Sequence, residues 1–534
     1  MKIIVRLWPW FAALLTGWLL TLCFPPWDQE WLCWVALIPL VSAVWFSGGG
    51  GKRPWLRNAA LGYCAGLVFF WTVFSWLITV TGGGWFILAF YLALYFAFWA
   101  WFVGAVAGAS PDMLRSRHNL WLAFACAAAW TAQEWARGVV FSGFGWNNLG
   151  VALYRNLALI QIADITGVWG LTFLAAFCNI IAVVTIRRFI LEIRIAKLRP
   201  HWDFSTAMLL VVLVFLYGIH SLQNKTTGLP LRVAAIQANI PETEKFDDQF
   251  EQTIFDRYTA LTKFALAGKP RLLIWPESAT PRGMFSDQVN FDFVNGIAAL
   301  GDFNFLLGSV DYESDADYND AFLLTNHARD VQKYRKIHLV PFGEYIPLRH
   351  SFPLFAMIAG TQVPGDFRPG HNYAVLQTAN PAVKLAALIC FEDTIGDLTR
   401  RFVLKGAQLL VNVTNDGWFL KSAGSDQHLA NAVLRTVETR RPLVRCANTG
   451  VTCFIDTLGR TTQSLRTPNG GHFIEGILAG VVQVPQDGHL TFYVRHGDLV
   501  AYGSLAFVLL FIGTRIWRRN LRGQPKPLTP VSDA

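Results

Sequence analysis

The sequence predicts a polytopic α-helical membrane domain joined to an α/β domain of layered mixed sheets. Hydrophobic residues make up 53% of the 534-residue chain and charged residues only 15%, a balance that few soluble proteins of this size have. The apolar residues lie in long runs between about residue 9 and residue 221 and again at 499–516. Between these runs, short β-branched and aromatic segments alternate with helical stretches, which is typical of an α/β domain.

Eight apolar runs are long enough to cross a hydrocarbon core of about 30 Å as helices. The chain therefore divides into seven spans in residues 1–221, a soluble domain at 222–498, an eighth span at 499–516 and a tail at 517–534. The first seven runs are at residues 8–24, 31–47, 58–80, 85–109, 119–140, 160–186 and 205–221. Lys2 and Arg6 precede the first run as in a signal peptide, but no A-x-A site follows, so we expect a retained anchor.

Positive charges predict the orientation of these spans. Lysine and arginine follow the even-numbered runs, whereas the alternate connections, such as residues 25–30 and 81–84, carry almost none. The rule that positive loops stay inside then places both termini in the cytoplasm and residues 222–498 on the opposite side. The net charge of +9 is explained by this topology, and we expect no nucleic-acid partner. The charges are Lys52, Arg53, Arg57, Arg115, Arg117, Arg187, Arg188, Arg194, Lys197, Arg199, Arg515, Arg518, Arg519 and Arg522.

Ionisable residues within the predicted spans are costly, and they therefore indicate a role. Glu134 and Arg137 lie three residues apart near the outer end of the fifth run, and Asp164 lies near the start of the sixth. They either pair with each other and hold helices together, or they form a polar pocket for a lipid head group that continues into the turn at 142–147. On the second interpretation Glu134, Arg137 and Trp146 are candidate substrate-binding residues.

The soluble part is predicted as one block of alternating strands and helices, which favours a layered α/β domain. A helix is predicted at 247–267. Strands are predicted at residues 231–237, 271–275, 303–310, 321–325, 383–389, 408–413 and 443–447.

Polar chemistry is concentrated at the ends of three strands, where functional groups gather in open α/β sheets. Glu277, Lys336 and Cys390 lie at these ends. A cysteine that attacks a carbonyl must lose its proton, although its free pKa is about 8.5. A glutamate can take that proton, and a lysine can stabilise the thiolate and the oxyanion that follows.

Other assignments of these residues remain open at the level of sequence. His338 or His428 could serve as the base in a Cys-His pair, and Cys446 could pair with Cys453. The cysteines show no CxxC spacing, so neither a metal site nor a disulfide framework is indicated. Because no H-E-x-x-H, G-x-x-x-x-G-K-[ST] or G-x-S-x-G pattern appears, we expect no metal and no cofactor.

The three segments, residues 275–278, 334–344 and 389–392, resemble in this order the Glu-Lys-Cys signature of the nitrilase, or carbon-nitrogen hydrolase, superfamily. Residues 410–418 and 435–450 resemble its later segments. With its domain inserted between the seventh and eighth predicted spans, the chain is similar to one family in particular, the bacterial apolipoprotein N-acyltransferases. The resemblance covers nearly the whole chain and implies a nitrilase-like domain with an α-β-β-α sandwich.

The resemblance also implies roles for individual residues. Glu277 would be the general base, Lys336 the oxyanion stabiliser and Cys390 the nucleophile, with Glu344 and Glu392 as supporting residues. Three aromatic residues would help to bind substrate. The sequence has Phe at two of these positions where the family commonly has Trp and Tyr, so it keeps the aromatic surface and loses a hydrogen-bonding group at each. The three are Phe246, Phe391 and Trp418.

The activity that the resemblance implies is a two-step acyl transfer in the bacterial inner membrane, with the catalytic domain in the periplasm. A membrane phospholipid would donate an acyl chain to Cys390, and the α-amine of a diacylglyceryl apolipoprotein would accept it. No cofactor is implied, and a monomer is expected. The apolar segment 352–360 would be either a mobile arm that admits lipid or a buried helix. The alternatives are a membrane-anchored amidase acting on a small C-N substrate and an inactive transporter or lipid-binding scaffold.

Overall fold

The computed structural model describes residues 2–48, 53–108, 113–196, 198–224, 227–314, 316–347, 349, 351 and 365–522. The segment 352–360 lies outside the described residues, so its interpretation as an arm or a helix stays a prediction. In the first 224 residues the described part consists mainly of apolar helices. These are α1 (Lys2–Leu22), α2 (Ile38–Phe46), α3 (Pro54–Val73), α4 (Gly84–Ala107), α5 (Ser116–Val139), α6 (Val168–Arg194) and α7 (Trp202–Leu222).

The second domain contains twelve strands in the part of the chain that the structure describes. They are β1 (Leu229–Gln237), β2 (Leu272–Ile274), β3 (Asn304–Tyr312), β4 (Asp317–Thr325), β5 (Asp330–Arg335), β6 (Leu376–Gln377), β7 (Lys384–Ile389), β8 (Leu409–Thr414), β9 (Leu443–Ala447), β10 (Cys453–Ile455), β11 (Thr461–Ser464) and β12 (Gly476–Val484). The longer helices of this domain are α8 (Glu251–Leu266), α9 (Gln288–Ala298), α10 (Gly396–Leu404) and α11 (Gly424–Thr439), and the chain ends with α12 (Leu499–Arg522).

The strands form two six-stranded sheets, in the orders β12-β1-β2-β3-β4-β5 and β11-β10-β9-β8-β7-β6. In each sheet three consecutive strands are parallel, β1-β2-β3 and β7-β8-β9, and the outer strands are antiparallel. The first and last strands are neighbours, since Leu229 of β1 pairs with Val484 of β12. Both sheets therefore mix parallel and antiparallel pairing, as the sequence predicts.

Alternation along the strands explains the layering. In β2, Leu272 and Ile274 belong to the apolar core shared with the second sheet, whereas Leu273 packs in a separate core with Ile254 of α8 and Val294 of α9. Helices α10 and α11 contribute apolar side chains to the core of the second sheet. The domain is thus an α-β-β-α sandwich, and the predicted fold class is confirmed.

Five helices among the described residues are long and apolar enough to cross a membrane, judged by length and composition. They are α3, α4, α6, α7 and residues Leu499–Arg518 of α12. The second predicted run, 31–47, is a broken helical segment, in which a 3-10 turn at Glu30–Trp34 precedes the 9-residue α2. Eight spans therefore remain a prediction.

Small residues bring the apolar helices together. A Cβ on Gly62 of α3 would lie 2.3 Å from the carbonyl oxygen of Phe96 in α4, so only glycine permits this approach. Helix α12 packs on α5 through aromatic pairs such as Phe124 and Phe507, whose ring centroids are 5.1 Å apart. The C-terminal helix thus joins the same helical body as the N-terminal ones.

Candidate active site

Three strand ends bring Glu277, Lys336 and Cys390 together. Glu277 lies in the loop after β2, Lys336 follows β5, and Cys390 begins a 3-10 turn after β7. Nζ of Lys336 is 3.5 Å from Oε1 of Glu277, and the charges of both residues act on the Cys390 thiol. All three residues are at least nine-tenths buried. The residues that the sequence singles out thus share one enclosed site.

The nucleophile candidate has an unusual backbone. Cys390 has a φ of 55°, in the left-handed region, which costs a residue other than glycine roughly 1–2 kcal/mol. Its carbonyl oxygen accepts a hydrogen bond of 2.8 Å from Nδ2 of Asn412 in β8. The turn is therefore held by the neighbouring parallel strand, so that the rigid sheet aims the sulfur.

Glu344 orients the lysine. Its Oε1 accepts hydrogen bonds from Nζ of Lys336 at 2.9 Å and from Nδ2 of Asn319 at 2.7 Å, and its Oε2 accepts one from the Val340 amide. Asn319 also donates to Oε1 of Glu277 at 2.9 Å. One asparagine of β4 thus bridges the two carboxylates that flank the ammonium group.

Glu392 joins the lysine segment to the cysteine turn. Its Oε1 accepts hydrogen bonds from the hydroxyl of Tyr334 at 2.8 Å and from the amides of Ile337 and His338. Its Oε2 accepts one from the Ile389 amide at 2.9 Å. Burial raises the pKa of Glu392 to about 7. This carboxyl group is fully enclosed, and its role as a supporting residue stays a prediction.

The electrostatics of the site favour a protonated thiol and a charged lysine. Burial and the Glu277 carboxylate raise the pKa of the Cys390 thiol well above its usual value, and Lys336 only partly opposes them. Burial alone would lower the pKa of Lys336, but Glu344 and Glu277 outweigh it and raise the pKa. A thiol held protonated in this way would need a base to take its proton before it could attack, and Glu277 is the predicted base.

We expect the alkylation of Cys390 by iodoacetamide to accelerate with pH without reaching a plateau near pH 8.5. Alkylation needs the thiolate, and a raised pKa leaves little thiolate at neutral pH, so the rate continues to rise beyond about 8.5, where a free thiol titrates. Peptide mass spectrometry locates the label, and a small free thiol is the control. A plateau below pH 8.5 would contradict the raised pKa.

Lys245 is a buried cation near the site that the sequence analysis missed. Its side chain is 2% exposed, and Nζ donates a 2.9 Å hydrogen bond to the carbonyl oxygen of Glu277. Burial lowers the pKa of this lysine, and Glu242, Glu277 and Cys390 partly oppose the shift. Nothing in the surrounding sequence distinguishes Lys245 from a surface lysine, because only the folded chain buries it.

Gly308 of β3 allows the loop that carries Glu277 to pack closely against the strand. The Gly308 amide donates to the carbonyl oxygen of Pro276, and its carbonyl oxygen accepts from the amide of Ala279. A Cβ at this glycine would lie 2.6 Å from Cα of Glu277. Only a glycine therefore allows the loop to sit this close to the strand.

We expect Gly308→Ala to lower the rate of Cys390 acylation about 100-fold, because it displaces the Glu277 carboxylate. Overpacking of this kind also costs about 1–3 kcal/mol of stability. Acylation is followed by intact mass spectrometry and stability by thermal unfolding in detergent. Gly296→Ala in α9, where a Cβ meets no atom within 4 Å, is the matched control and should not slow acylation. Equal rates in the two variants would contradict the role of Gly308.

Among the three predicted aromatic residues, Phe391 is next to the lysine, and the other two are about half exposed. Nζ of Lys336 is 5.8 Å from the centroid of the Phe391 ring. Phe246 is 52% exposed and Trp418 is 47% exposed. The carbonyl oxygen of Trp418 accepts a hydrogen bond from Thr79, so this residue lies where the two domains meet. Their contact with substrate stays a prediction.

Glu134 and Arg137 are buried and support the connection that follows α5. Glu134 accepts hydrogen bonds from the amide of Leu149, and Arg137 donates to the carbonyl oxygens of Phe144 and Trp146. Asp164 instead forms a 2.6 Å ion pair with Arg440 of the catalytic domain. These contacts brace the structure, and a head-group contact by Glu134, Arg137 or Trp146 remains untested.

The structure also bears on the alternatives that the sequence left open. Nε2 of His428 lies 3.2 Å from the carbonyl oxygen of Cys390, so this histidine faces the Cys390 backbone, and a Cys-His pair stays a prediction. Cys446 and Cys453 are free and buried, as are most of the other cysteines. Within the described residues, no group of three or more His, Cys, Asp or Glu side chains could hold a metal ion.

Two family models match successive parts of the chain. Residues 16–181 match the family model "Apolipoprotein N-acyltransferase N-terminal domain", and residues 232–483 match "Carbon-nitrogen hydrolase". The apolipoprotein N-acyltransferase of Geobacter metallireducens is 35% identical over 96% of each chain, and that of Methylococcus capsulatus is 32% identical over 93% of this chain and 94% of the relative. A crystal structure of an amidase from Nesterenkonia sp., 17% identical, covers 52% of this chain and 97% of its own, with a TM-score of 0.37.

Both halves of the chain therefore match, in the order that the resemblance implied, and the relatives match over nearly their whole lengths. The chain belongs to the apolipoprotein N-acyltransferase family.

Proposed function

We propose that this protein is an apolipoprotein N-acyltransferase, which moves a fatty acyl chain from a membrane phospholipid to the N-terminal α-amine of an S-diacylglyceryl-cysteine apolipoprotein. The observation that carries the proposal is the enclosed Glu277, Lys336 and Cys390 site, whose cysteine turn contacts His428, on which Trp146 of the helical domain packs. Trp76 and Trp146 of the helical domain form one aromatic cluster with Phe419 of the catalytic domain. A site so placed suits substrates that reside in a bilayer.

In the first step, the Cys390 sulfur attacks the carbonyl carbon of a phospholipid ester while its proton passes to Glu277. The carbonyl oxygen of the ester gains negative charge, and the ammonium group of Lys336 stabilises this charge. The bond between that carbon and the lysophospholipid oxygen then breaks. Glu277 returns the proton to the leaving oxygen, and a Cys390 acyl thioester remains.

In the second step, the α-amine of the apolipoprotein attacks the thioester carbonyl. Glu277 accepts a proton from the amine nitrogen, the carbon–sulfur bond breaks, and the proton returns to the Cys390 sulfur. The products are the N-acylated lipoprotein and the free thiol, so the enzyme is restored. A covalent intermediate allows two bulky lipids to use one site in turn.

An active site at the membrane is expected because both substrates carry acyl chains that reside in the bilayer. Exposure of an acyl chain to water costs about 0.8 kcal/mol per methylene, so removal of a 16-carbon chain from the bilayer would cost on the order of 12 kcal/mol. We place the protein in the bacterial inner membrane as a monomer with eight spans. Both termini are cytoplasmic and the catalytic domain is periplasmic, as the loop charges favour.

The test is intact mass spectrometry of the purified protein after incubation with phospholipid alone, for wild type and Cys390→Ala. We expect a mass gain of one acyl group in the wild type only, and its transfer to an added diacylglyceryl-cysteine peptide. If no adduct forms with phospholipid but one forms with a small amide, the protein is instead a membrane-anchored amidase. Lipoprotein acylation that persists in Cys390→Ala would exclude the thioester route.

A further inference from the structure

His428 lies beneath the nucleophile turn, and the mechanism above does not use it. The residue belongs to α11 and is fully buried. Nε2 is 3.2 Å from the carbonyl oxygen of Cys390 and 2.7 Å from Oδ1 of Asp393. Nδ1 is 2.8 Å from a guanidinium nitrogen of Arg445 and 3.2 Å from Oδ1 of Asp416. The imidazole thus touches the turn that carries the sulfur.

The neighbours of His428 determine which ring nitrogen carries a proton. Arg445 can only donate, so in the neutral imidazole Nδ1 must accept from it and Nε2 must hold the hydrogen. In the imidazolium both nitrogens hold hydrogens, and Nδ1–H donates a hydrogen bond to Oδ1 of Asp416. In either state Nε2–H points toward the Cys390 carbonyl oxygen and Asp393. The donor to the nucleophile turn is therefore present whatever the charge of the ring.

The charges around the ring favour the imidazolium. The groups that face it are the carboxylates of Asp393 and Asp416 and the guanidinium of Arg445, all fully buried. These three carry a net charge of −1, which a protonated imidazole neutralises. Burial and Arg445 lower the pKa of His428, but the two carboxylates outweigh them and raise it. The ring is thus held on all sides by fixed partners.

The preceding residue ties α11 to the helical domain. Oε1 of Gln427 accepts hydrogen bonds from Nε1 of Trp76 at 2.9 Å and from Nδ2 of Asn147 at 3.0 Å. Its Nε2 donates to the carbonyl oxygens of Pro25 and Val73. One buried amide therefore contacts three separate segments of the helical domain and satisfies all its polar valences.

We propose that His428 is a positioning residue for Cys390. We further propose that Gln427, which bonds the helical domain, couples the position of that domain to the backbone conformation of Cys390 through the adjacent His428. The Nε2–H bond and the Asn412 bond together hold the Cys390 carbonyl oxygen, and thereby the left-handed turn that aims the sulfur. The Trp146 ring packs on the imidazole from the helical side, with centroids 5.1 Å apart. The inference rests on the proposed role of Cys390 as nucleophile.

The test compares His428→Gln with His428→Asn, in full-length protein in detergent with phospholipid. Both variants are polar and uncharged, but only glutamine places an amide donor where Nε2 is, whereas the shorter asparagine amide ends near the Nδ1 position. We expect His428→Asn to lower kcat for acylation of Cys390 about 100-fold with KM unchanged, and His428→Gln to recover at least about tenfold of that loss. His489→Gln, at an exposed histidine, is the control and should leave kcat unchanged.

Equal losses in the two variants, or a change in KM alone, would overturn the positioning role. Iodoacetamide labelling of Cys390 supplies a readout independent of lipid, and we expect slower labelling in the asparagine variant than in the glutamine variant. If the two variants label in this order but wild-type protein forms no acyl adduct with phospholipid, the proposed function fails while the positioning role stands. The coupling through Gln427 is tested with Gln427→Met, which should lower kcat about tenfold at unchanged KM. A variant with a lower melting temperature but an unaltered kcat would overturn this coupling.

Discussion

Glu277→Gln is expected to slow acylation of Cys390 by phospholipid on the order of 10²–10⁴-fold, the range that a general base contributes. Glutamine keeps the shape of the side chain and can still accept the hydrogen bond from Asn319, but it cannot take the thiol proton. The Cys390 pKa is raised by burial, so the thiol rarely ionises unaided near neutral pH. Without the base, no carboxylate at this position takes the thiol proton during attack or returns it to the leaving oxygen, so acylation by phospholipid is slow.

Single-turnover mass spectrometry with phospholipid measures this rate. Glu475→Gln is the matched control, because Glu475 is a half-exposed glutamate paired with Arg257 at the surface, and the same substitution there should leave acylation unchanged. Since removal of the Glu277 charge also removes one cause of the raised pKa, iodoacetamide labelling should speed up in the same variant. Acylation within threefold of wild type would argue against Glu277 as the base.

Arg445→Met is expected to destabilise the catalytic domain by about 3–5 kcal/mol, the cost of breaking a buried ion pair by removing one partner. The guanidinium bonds Asp393 at 2.7 Å, Asp416 at 3.0 Å and Oδ1 of Asn412 at 3.1 Å, and none of its surface is exposed. Arg445 is also what lowers the pKa of Asp416 to about 2 against the effect of burial. Methionine fills the volume but leaves the buried carboxylates of Asp393 and Asp416, which also face His428, without their guanidinium partner.

Thermal unfolding in detergent measures the loss of stability as a fall in the melting temperature. Arg257→Met removes an arginine whose partner is exposed, and such surface pairs contribute about 1 kcal/mol at most, so this control should unfold close to wild type. The pH dependence has a definite sign. The depressed pKa of Asp416 stabilises the fold above its unfolded value of about 3.9, and this part is lost as pH falls toward 2. A melting temperature unaltered in Arg445→Met would contradict the structural role of the cluster.

The sequence was enough to predict that Glu277, Lys336 and Cys390 lie together, because functional groups gather at the ends of strands. Glu277 and Cys390 each follow a strand within a parallel set, β2 in one sheet and β7 in the other, and functional groups gather where such strands end. β-branched and apolar runs mark these buried strands strongly, so seven of them were placed close to their observed bounds. The strands not predicted, including β10 to β12, are short or half-exposed, and their patterns carry little signal.

The polar residues that surround Glu277, Lys336 and Cys390 could not be predicted in the same way. Asn319, Lys245 and Gln427 resemble ordinary polar residues in the sequence, and only their burial against partners far along the chain gives them roles. The break in the helical segment 30–46 was also missed, because hydropathy measures composition and not the local turn at Glu30–Trp34. Tertiary contacts decide both kinds of feature.

The pairing of the first and last strands has a consequence for how such a protein can arise. Leu229 and Val484 are register partners, so the chain enters and leaves the sandwich side by side, about 5 Å apart. The two ends of this insert of more than 250 residues are as close together as the two ends of a short loop. A free-standing hydrolase can therefore be inserted into a helical bundle in one genetic event, without separating the helices that flank it.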